Sequence, residues 1–303
     1  MKATLTVVAW VLSLATLLVP CAVFAQSRVE RVVTATADAR DVATVGDRTY
    51  VATEGGLLVL RGPTVERTLG PTDGLPGARL RAVSVVDGDL WVGAVEGTAR
   101  VAIEDGELRV IQTFEPRRVR RVVRFGDSLW LASHGGGLYR LRGDSVERVP
   151  LGDANAYVRL TDLLVHDGEL WVATHGVGIL RLGADGSVRS RIREGDGLPS
   201  AYVWRLAAHD GRVVATTIDG IAVFGSGGVE RQHPWTATAR RLPVRDVRAI
   251  AWSDDALWLG TYGSGLHRAP LDGGRPRRVG SDDAVYAVAD TSAGLLVAHA
   301  GGV

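Results

Sequence analysis

The chain has 303 residues, and its 35 basic and 34 acidic side chains give a formal net charge of +1 at pH 7. Lys2 is the only lysine, so the rest of the chain is electrically balanced and relies on arginine for its strongly basic groups. This balance argues against a nucleic-acid partner. Cys21 is the single cysteine, which excludes an intramolecular disulfide framework.

Residues 1–25 have the features of a secretory signal peptide. Lys2 supplies a positive start, and Leu5–Val19 is almost entirely apolar. Val23 and Ala25 then place small residues at the −3 and −1 positions of a cleavage site. We therefore expect cleavage after residue 25.

A lipoprotein anchor at Cys21 is the alternative for this segment. The position before such a cysteine normally carries a small, flexible residue, which Pro20 matches poorly. We therefore expect export to the periplasm or beyond, without a cysteine in the mature chain. No later stretch approaches the roughly 18 apolar residues of a membrane span, so we expect no transmembrane segment there.

A large residue at the centre of a short apolar strand recurs along the whole chain at intervals of 38 to 44 residues. The seven anchors are Tyr50, Trp91, Trp130, Trp171, Val214, Trp258 and Leu296. A repeat near 40 residues with short strands and a tryptophan in most units is typical of propeller blades. We predict an all-β chain with one propeller over residues 26–303. We expect seven blades of about 40 residues with four-stranded antiparallel sheets, the last blade being incomplete or closed by the N-terminal strand.

The unit around residue 171 predicts the four strands of one blade. Leu160–Val165 is the innermost strand a, Leu170–Thr174 is strand b, Ile179–Leu182 is strand c and Ser187–Ile192 is strand d. Asp-Gly pairs recur between a and b, where primed hairpin turns need positive φ. No helical period competes with this pattern.

The anchor tryptophans are predicted to fill the wedges between blades. Emptying such a site, as in Trp171→Ala, should cost about 3–5 kcal/mol. Trp235 falls between the predicted strands, and we expect the same change to cost far less there.

The two ends of the chain bear on how the ring closes. Ser27–Val33 resembles the d strands of other units, and the last unit has strands a and b but no strand c before Val303. Either the chain is truncated, or the N-terminal strand completes a three-stranded last blade.

The chain resembles the two-component regulator propeller repeat family. The resemblance lies in the Gly-Leu-Pro lead-ins at Gly74–Pro76 and Gly197–Pro199, and in the Leu-Trp strands followed by a Gly-containing turn, as in Ala256–Arg268. Such propellers often form the extracytoplasmic sensor half of membrane histidine kinases, many of them responsive to glycans. The resemblance thus implies a sensory or ligand-binding module, although this chain has one ring, no kinase and no β-sandwich.

The loops between strands d and a predict a ligand site at the mouth of the central channel. Arginine recurs ten and twelve residues before the anchors, and guanidinium groups favour carboxylate or phosphate ligands. Tyrosine and tryptophan at the same positions, and at Tyr157 and Trp235, could stack on sugar rings, and two b–c turns add histidines on the same face. The predicted ligand-binding residues are Arg79, Arg81, Arg118, Arg120, Arg159, Tyr202, Trp204, Arg248, Tyr286, His134 and His175.

The alternative for these arginines is a structural role. They could pair with acids such as Asp38, Asp162 and Asp246, or simply solvate the rim. A metal site at the b–c turns is disfavoured because the blades hold those side chains too far apart. We expect no metal and no other cofactor.

Three functions remain open from the sequence. The first is a sensor or binding module for a glycan or other small anionic ligand. The second is an interaction scaffold for an envelope or membrane sensor protein. The third is a propeller lyase or hydrolase, although the chain has no GxSxG, P-loop or GxGxxG motif and no catalytic residue can be named.

Overall fold

The computed structural model describes residues 38–152, 159–281, 283–291 and 294–303, and most of them lie in short antiparallel strands. The predicted signal peptide, the strand predicted at Ser27–Val33 and Tyr157 lie outside the described residues. Within the described ranges, no helix is long and apolar enough to cross a membrane.

Six sheets have four strands each, and neighbouring strands in the chain are neighbours in the sheet. The first three sheets contain β1 (Ala39–Val45), β2 (Arg48–Thr53), β3 (Gly56–Arg61) and β4 (Thr64–Leu69); β5 (Leu80–Val86), β6 (Asp89–Ala94), β7 (Thr98–Glu104) and β8 (Glu107–Phe114); and β9 (Val119–Phe125), β10 (Ser128–Ser133), β11 (Gly137–Arg142) and β12 (Ser145–Val149). The next three contain β13 (Leu160–His166), β14 (Glu169–Thr174), β15 (Ile179–Leu182) and β16 (Val188–Ile192); β17 (Val203–His209), β18 (Arg212–Thr217), β19 (Gly220–Gly225) and β20 (Gly228–Val229); and β21 (Val247–Ser253), β22 (Ala256–Thr261), β23 (Gly265–Pro270) and β24 (Arg277–Val279).

The seventh sheet has two strands, β25 (Val285–Thr291) and β26 (Gly294–His299). The prediction of seven blades is therefore wrong in its count, because six of the described sheets are complete four-stranded blades. Closure of this sheet by an N-terminal strand concerns residues outside the described ranges and stays a prediction.

The first strands of the seven sheets form the inner wall of a closed ring. Each contacts the first strand of the next sheet, and β25 contacts both β21 and β1. Ala39, Leu58, Ala287 and Ala298 pack in one buried cluster that joins the first sheet to the seventh. The two-stranded sheet therefore occupies the seventh position between the sixth sheet and the first.

Local sequence explains the hairpins and the close packing of the sheets. Asp87 and Gly88 have φ values of 54° and 83°, the positive pair that a primed turn between β5 and β6 requires. Gly93 in β6 lies so close to the next sheet that an added Cβ would stand 2.1 Å from the Val119 carbonyl oxygen. Glycine at this position lets the two sheets approach each other.

The anchor tryptophans lie in the wedges between sheets, as predicted. Trp91 and Trp130 are at most 2% exposed. The Trp130 indole donates a hydrogen bond to the Phe125 carbonyl oxygen at 3.1 Å. On the neighbouring strand, Arg140 places its guanidinium 5.5 Å from the centre of the Trp130 ring. The apolar body of the indole is buried in this position, and its N–H has a hydrogen-bond acceptor.

The prediction of a loop around Trp235 is wrong. A short helix, α1 (Pro234–Ala239), follows the two-residue outer strand β20, and Trp235 is only 6% exposed. Its indole nitrogen donates to the Leu271 carbonyl oxygen at 2.9 Å. Six residues are too few to show a helical period in the sequence. Trp235 therefore belongs to the core and not to a sugar-binding surface.

Candidate functional site

One position in each inner strand faces the centre of the ring. It lies ten residues before each anchor, and it is the extra residue where the pairing of strands a and b shifts by one. Such a β-bulge turns a side chain out of the regular alternation of the sheet. The seven bulge residues are Arg40, Arg81, Arg120, Thr161, Trp204, Arg248 and Tyr286.

These seven bulge residues together line a single cavity of about 270 Å³, which we call the central cavity. Four further residues complete its lining, namely His134, Arg159, His175 and Arg205. Six of the eleven lining side chains are arginines, and none is an acid. The wall of the central cavity is therefore strongly basic.

Carboxylates behind the wall pair with four of the six arginines. Glu54 contacts the guanidinium groups of both Arg40 and Arg81, the former at 3.1 Å. Asp246 contacts Arg248 at 3.0 Å. Arg40 also contacts Asp38 at 3.1 Å. The structural alternative is thus right for Arg40 and Arg248, whose partners Asp38 and Asp246 it named, but it does not account for the whole set.

Arg205 was not among the predicted site residues, although the sequence contains a signal for it. The position directly after the bulge, nine residues before the anchor, carries a charge in four repeats, at Asp41, Arg121, Asp162 and Arg205. Arg205 contacts Asp41 at 2.7 Å and Arg121 contacts Asp162 at 2.6 Å. Both acids are at most 2% exposed. These two pairs lie one residue beyond the bulge positions along the inner strands.

Arg120 and Arg159 form no ion pair with any residue in the described ranges. The Arg120 Nε is buried and has no hydrogen-bond partner there. Burial, together with repulsion from Arg81, Arg205 and Arg40, lowers the pKa of Arg120 to about 10. Within the described ranges, Arg120 and Arg159 thus leave positive charge without an ion-pair partner on this side of the cavity.

The two cavity histidines are neutral at pH 7. Burial lowers the pKa of His134 to about 4, with further lowering by Arg120, His175 and Arg159. Burial and then Arg159 and Arg248 also lower the pKa of His175. The two rings lie 6.0 Å apart between centroids. As neutral rings they can each donate one hydrogen bond and accept one.

Arginine side chains cover the aromatic groups of the cavity. The Arg248 guanidinium lies 4.1 Å from the centre of the Trp204 ring and 4.0 Å from that of Tyr262. Arg40 lies 4.5 Å from the centre of the Tyr286 ring. The contact with Arg248 thus occupies the face of Trp204, a ring predicted to stack on sugars.

Three predicted residues lie outside the central cavity. Arg79 and Arg118 line a neighbouring depression of about 680 Å³, the outer groove, with Glu96, Glu115, Arg117, His134 and Tyr139 among its walls. Arg79 pairs there with Glu96 at 2.7 Å. Tyr202 is 42% exposed, and its ring meets the His175 ring at 4.6 Å.

Arg79 and Arg118 both lie just before an inner strand, Arg79 before β5 and Arg118 before β9. Residues two positions apart in a regular strand share one face. Arg118 departs from this alternation because its backbone is left-handed, with a φ of 53°. Arg159 occupies the equivalent repeat position and does face the central cavity.

The described residues contain no group of three or more histidine, cysteine, aspartate or glutamate side chains suited to hold a metal ion. The lining of the central cavity instead offers guanidinium donors and two neutral imidazoles. This set can bind an anion by charge-assisted hydrogen bonds.

No family model and no curated protein sequence matches the chain. Solved structures do match it. Virginiamycin B lyase from Staphylococcus aureus superposes with a TM-score of 0.66 at 12% identity, over 88% of this chain and 93% of that one. The WD40 β-propeller domain of Doa1 gives 0.64 at 16% identity, over 89% and 93%. The Cps50 (Swd1) propeller domain of Myceliophteria thermophila gives 0.64 at 12%, over 84% and 90%. At such identities the likeness concerns the fold alone, and it shows that the chain is a β-propeller.

Proposed function

We propose that the central cavity binds a small anionic ligand, and that the chain is an exported ligand-binding propeller. The observation that carries this proposal is the uncompensated charge at Arg120. Burial lowers the pKa of Arg120 to about 10, and repulsion from Arg81, Arg205 and Arg40 in the cavity wall adds to this lowering. A bound anion would remove this repulsion and provide the missing partner for the buried Nε.

The chemistry of the donors favours a carboxylate, phosphate or sulfate group. Arg120 and Arg159 are available for charge-assisted hydrogen bonds, which are about twice as strong as neutral ones. His134 and His175 can add neutral donors. Because Arg248 and Arg40 already cover aromatic faces, recognition through hydrogen bonds is better supported than recognition through sugar stacking.

The size of the cavity limits what it can enclose. Its volume of about 270 Å³ is near the lower end of ligand pockets, which are typically about 300–1,000 Å³. This fits a single acidic unit, either a free small molecule or the end of a larger one. The acidic end of a glycan would meet this requirement.

Export and a sensory role rest on the sequence. The signal-peptide pattern of residues 1–25 supports a periplasmic or secreted location. The resemblance to two-component regulator propellers supports sensing, with an envelope or membrane sensor protein as partner. Fractionation of cells that produce the tagged full chain, with N-terminal sequencing of the product, tests the location and the cleavage after residue 25.

Isothermal titration tests ligand binding by the purified chain. The probes are glucuronate, galacturonate, inorganic phosphate, sulfate and citrate in low-salt buffer, with glucose as the neutral control. We expect at least one anion to bind with an affinity that falls as salt is added, and glucose not to bind. Absence of heat with every anion, or equal binding of glucose, would count against an anion site.

A further inference from the structure

The fourth and fifth sheets enclose a further cavity between them, which we call the wedge cavity. Its volume is about 230 Å³. Trp171 of β14, Val213 of β18 and Phe224 of β19 all line it. The Trp171 and Phe224 rings lie 5.7 Å apart between centroids. No described residue lines both this cavity and the central cavity, so the two are separate sites.

A turn that covers the anchor tryptophan in the preceding wedge borders open space here. Between the third and fourth sheets, Gly186 lies so close to Trp130 that an added Cβ would stand 3.2 Å from the ring. Gly186 belongs to the turn between β15 and β16. The corresponding turn of the fifth sheet, between β19 and β20, lines the wedge cavity with Ser226.

The indole N–H of Trp171 is buried and has no acceptor within the described ranges. Trp130, at the same repeat position, donates to the Phe125 carbonyl oxygen at 3.1 Å. Trp258 donates to the Ser253 hydroxyl at 3.0 Å, again five residues back along the chain. A buried donor without an acceptor is costly. An oxygen atom of a ligand in the wedge cavity would supply the acceptor that Trp171 lacks.

The wedge cavity is apolar inside and acidic at its mouth. Val213 and Phe224 are buried. Asp167 and Asp196 also line the cavity, and both are exposed. His166 Nε2 lies 3.3 Å from the Asp167 carboxylate, but no arginine pairs with either acid within the described ranges. The two carboxylates are therefore available to a cationic group at the mouth.

The arginine in this lining does not cancel the acidic mouth. Arg181 donates from its Nε to the Glu169 carboxylate at 2.6 Å. Its guanidinium lies 5.0 Å from the centre of the Trp171 ring. Glu169 thus compensates the charge of Arg181, and the mouth of the wedge cavity stays negative, in contrast to the basic wall of the central cavity.

We propose that the wedge cavity binds a small amine with an apolar body and an oxygen atom remote from the amino group. The oxygen accepts from the Trp171 N–H, and the apolar body packs against Val213 and Phe224. The ammonium group lies at the mouth against Asp167 and Asp196. A volume of about 230 Å³ is below the usual range of about 300–1,000 Å³, which fits a small molecule.

Isothermal titration of three matched compounds into the full chain tests both polar contacts. Tyramine has the amine, an aromatic ring and a phenolic oxygen, whereas phenethylamine lacks the oxygen and para-ethylphenol lacks the amine. We expect tyramine to bind at least about fivefold more tightly than phenethylamine, because only tyramine satisfies the buried donor. It should bind at least about tenfold more tightly than para-ethylphenol, because only tyramine forms the charge-assisted hydrogen bonds. Equal affinities, or no binding of tyramine, would overturn the proposal.

The variant Asp167→Asn/Asp196→Asn removes the acidic mouth while it keeps both turns. Asp167 has a φ of 48° in an Asp-Gly turn, where asparagine is equally suited. Asparagine at position 196 can still accept from the Arg193 N–H, as the aspartate does at 2.8 Å. This variant should bind tyramine only as tightly as the unchanged protein binds para-ethylphenol.

The matched control for the acidic mouth is Asp210→Asn/Asp73→Asn. Asp210 stands in the corresponding Asp-Gly turn of the fifth sheet with a φ of 51°. Asp73 accepts from the Gly70 N–H at 2.9 Å, in a turn like that of Asp196. The control should bind tyramine as the unchanged protein does. Full tyramine affinity in Asp167→Asn/Asp196→Asn would overturn the position of the amine.

The variant Trp171→Phe removes the unpaired N–H and keeps an aromatic ring. It should bind tyramine and phenethylamine equally well, whereas Trp130→Phe removes an N–H that already has an acceptor and should keep the preference for tyramine. A preference retained in Trp171→Phe would refute the contact of the oxygen with the indole. Thermal unfolding establishes that each variant folds. If Trp171→Phe does not fold, the two compounds compared on the unchanged protein decide the same point.

The variant Arg120→Gln separates this site from the proposed anion site. Arg120 lines the central cavity and is absent from the lining of the wedge cavity. Its change should therefore leave the affinity for tyramine as it is. A loss of tyramine binding in this variant would indicate that tyramine binds in the central cavity, and would overturn the wedge site.

Discussion

Arg205 of the fifth sheet donates a hydrogen bond to Asp41 of the first sheet at 2.7 Å, and so joins two residues 164 positions apart in the chain. The Asp41 carboxylate also accepts from the Val83 N–H at 3.2 Å, which ties the second sheet to the same group. This pair therefore spans the middle of the ring, directly beyond the basic wall of the central cavity.

Breaking this pair from one side should destabilise the ring. Asp41 is 3% exposed in its side chain and Arg205 is 17% exposed, so removal of either partner leaves a charge in a poorly solvated place. Arg205→Met should lower the free energy of unfolding by about 3–5 kcal/mol in urea titration. The double variant Arg205→Met/Asp41→Asn should lose less free energy of unfolding than Arg205→Met alone. An additive loss would show that the two side chains do not interact.

Trp235→Ala should now cost as much as Trp171→Ala, about 3–5 kcal/mol. Both side chains are at most 6% exposed, and the Trp235 change also removes the hydrogen bond to Leu271. Urea unfolding of the two variants measures this. Trp204→Ala serves as the comparison. Because Trp204 is partly exposed, this change should lower the free energy of unfolding clearly less. A small loss for Trp235→Ala would mean that α1 does not pack as described.

Gly93→Ala should destabilise the contact between the second and third sheets. The new methyl group would meet the Val119 carbonyl oxygen, which is backbone and cannot move aside cheaply. Overpacking of this kind typically costs about 1–3 kcal/mol. Gly195→Ala is the control, because nothing lies within 4 Å of a Cβ there. Thermal unfolding should show a lower midpoint for the first variant, and equal midpoints would contradict the close approach.

His134 should make the stability of the chain depend on pH. Its pKa is about 4 in the folded chain, below its ordinary value of 6.5, so the unfolded chain takes up the proton first as the pH falls. Between about pH 6.5 and 4 the unfolded state therefore binds more protons, and stability declines with decreasing pH. His134→Gln should reduce the slope of stability against pH in this window. An unchanged slope would show that the ring is not buried as a neutral group.

Much of the fold could be predicted from the sequence because the signals are local. Asp-Gly turns and the apolar strands around Trp171 depend on neighbouring residues alone, and β13 to β16 lie within one residue of the predicted bounds. The position of the two-stranded seventh sheet in the ring and the helix α1 depend on tertiary packing. Neither leaves a periodic pattern.

The candidate site could be predicted only in part for a related reason. The recurring position that contains Arg81 and Arg120 is visible in the sequence, and its members do meet in one cavity. The bulge that turns them inward depends on strand pairing, which has no local signature here. The sequence pattern therefore predicts the wrong side for Arg79 and Arg118. The pairing of Arg205 with Asp41, 164 positions away, depends on closure of the ring itself.

The most direct test of the central claim is the affinity of Arg120→Gln for the anion that binds most tightly in the titration panel. Glutamine keeps a hydrogen-bond donor but removes the uncompensated charge, so the account predicts binding at least about tenfold weaker. Arg109→Gln removes an exposed charge from β8 and should bind as the unchanged protein does. Equal affinities for the unchanged protein and a folded Arg120→Gln variant would contradict an anion site in the central cavity.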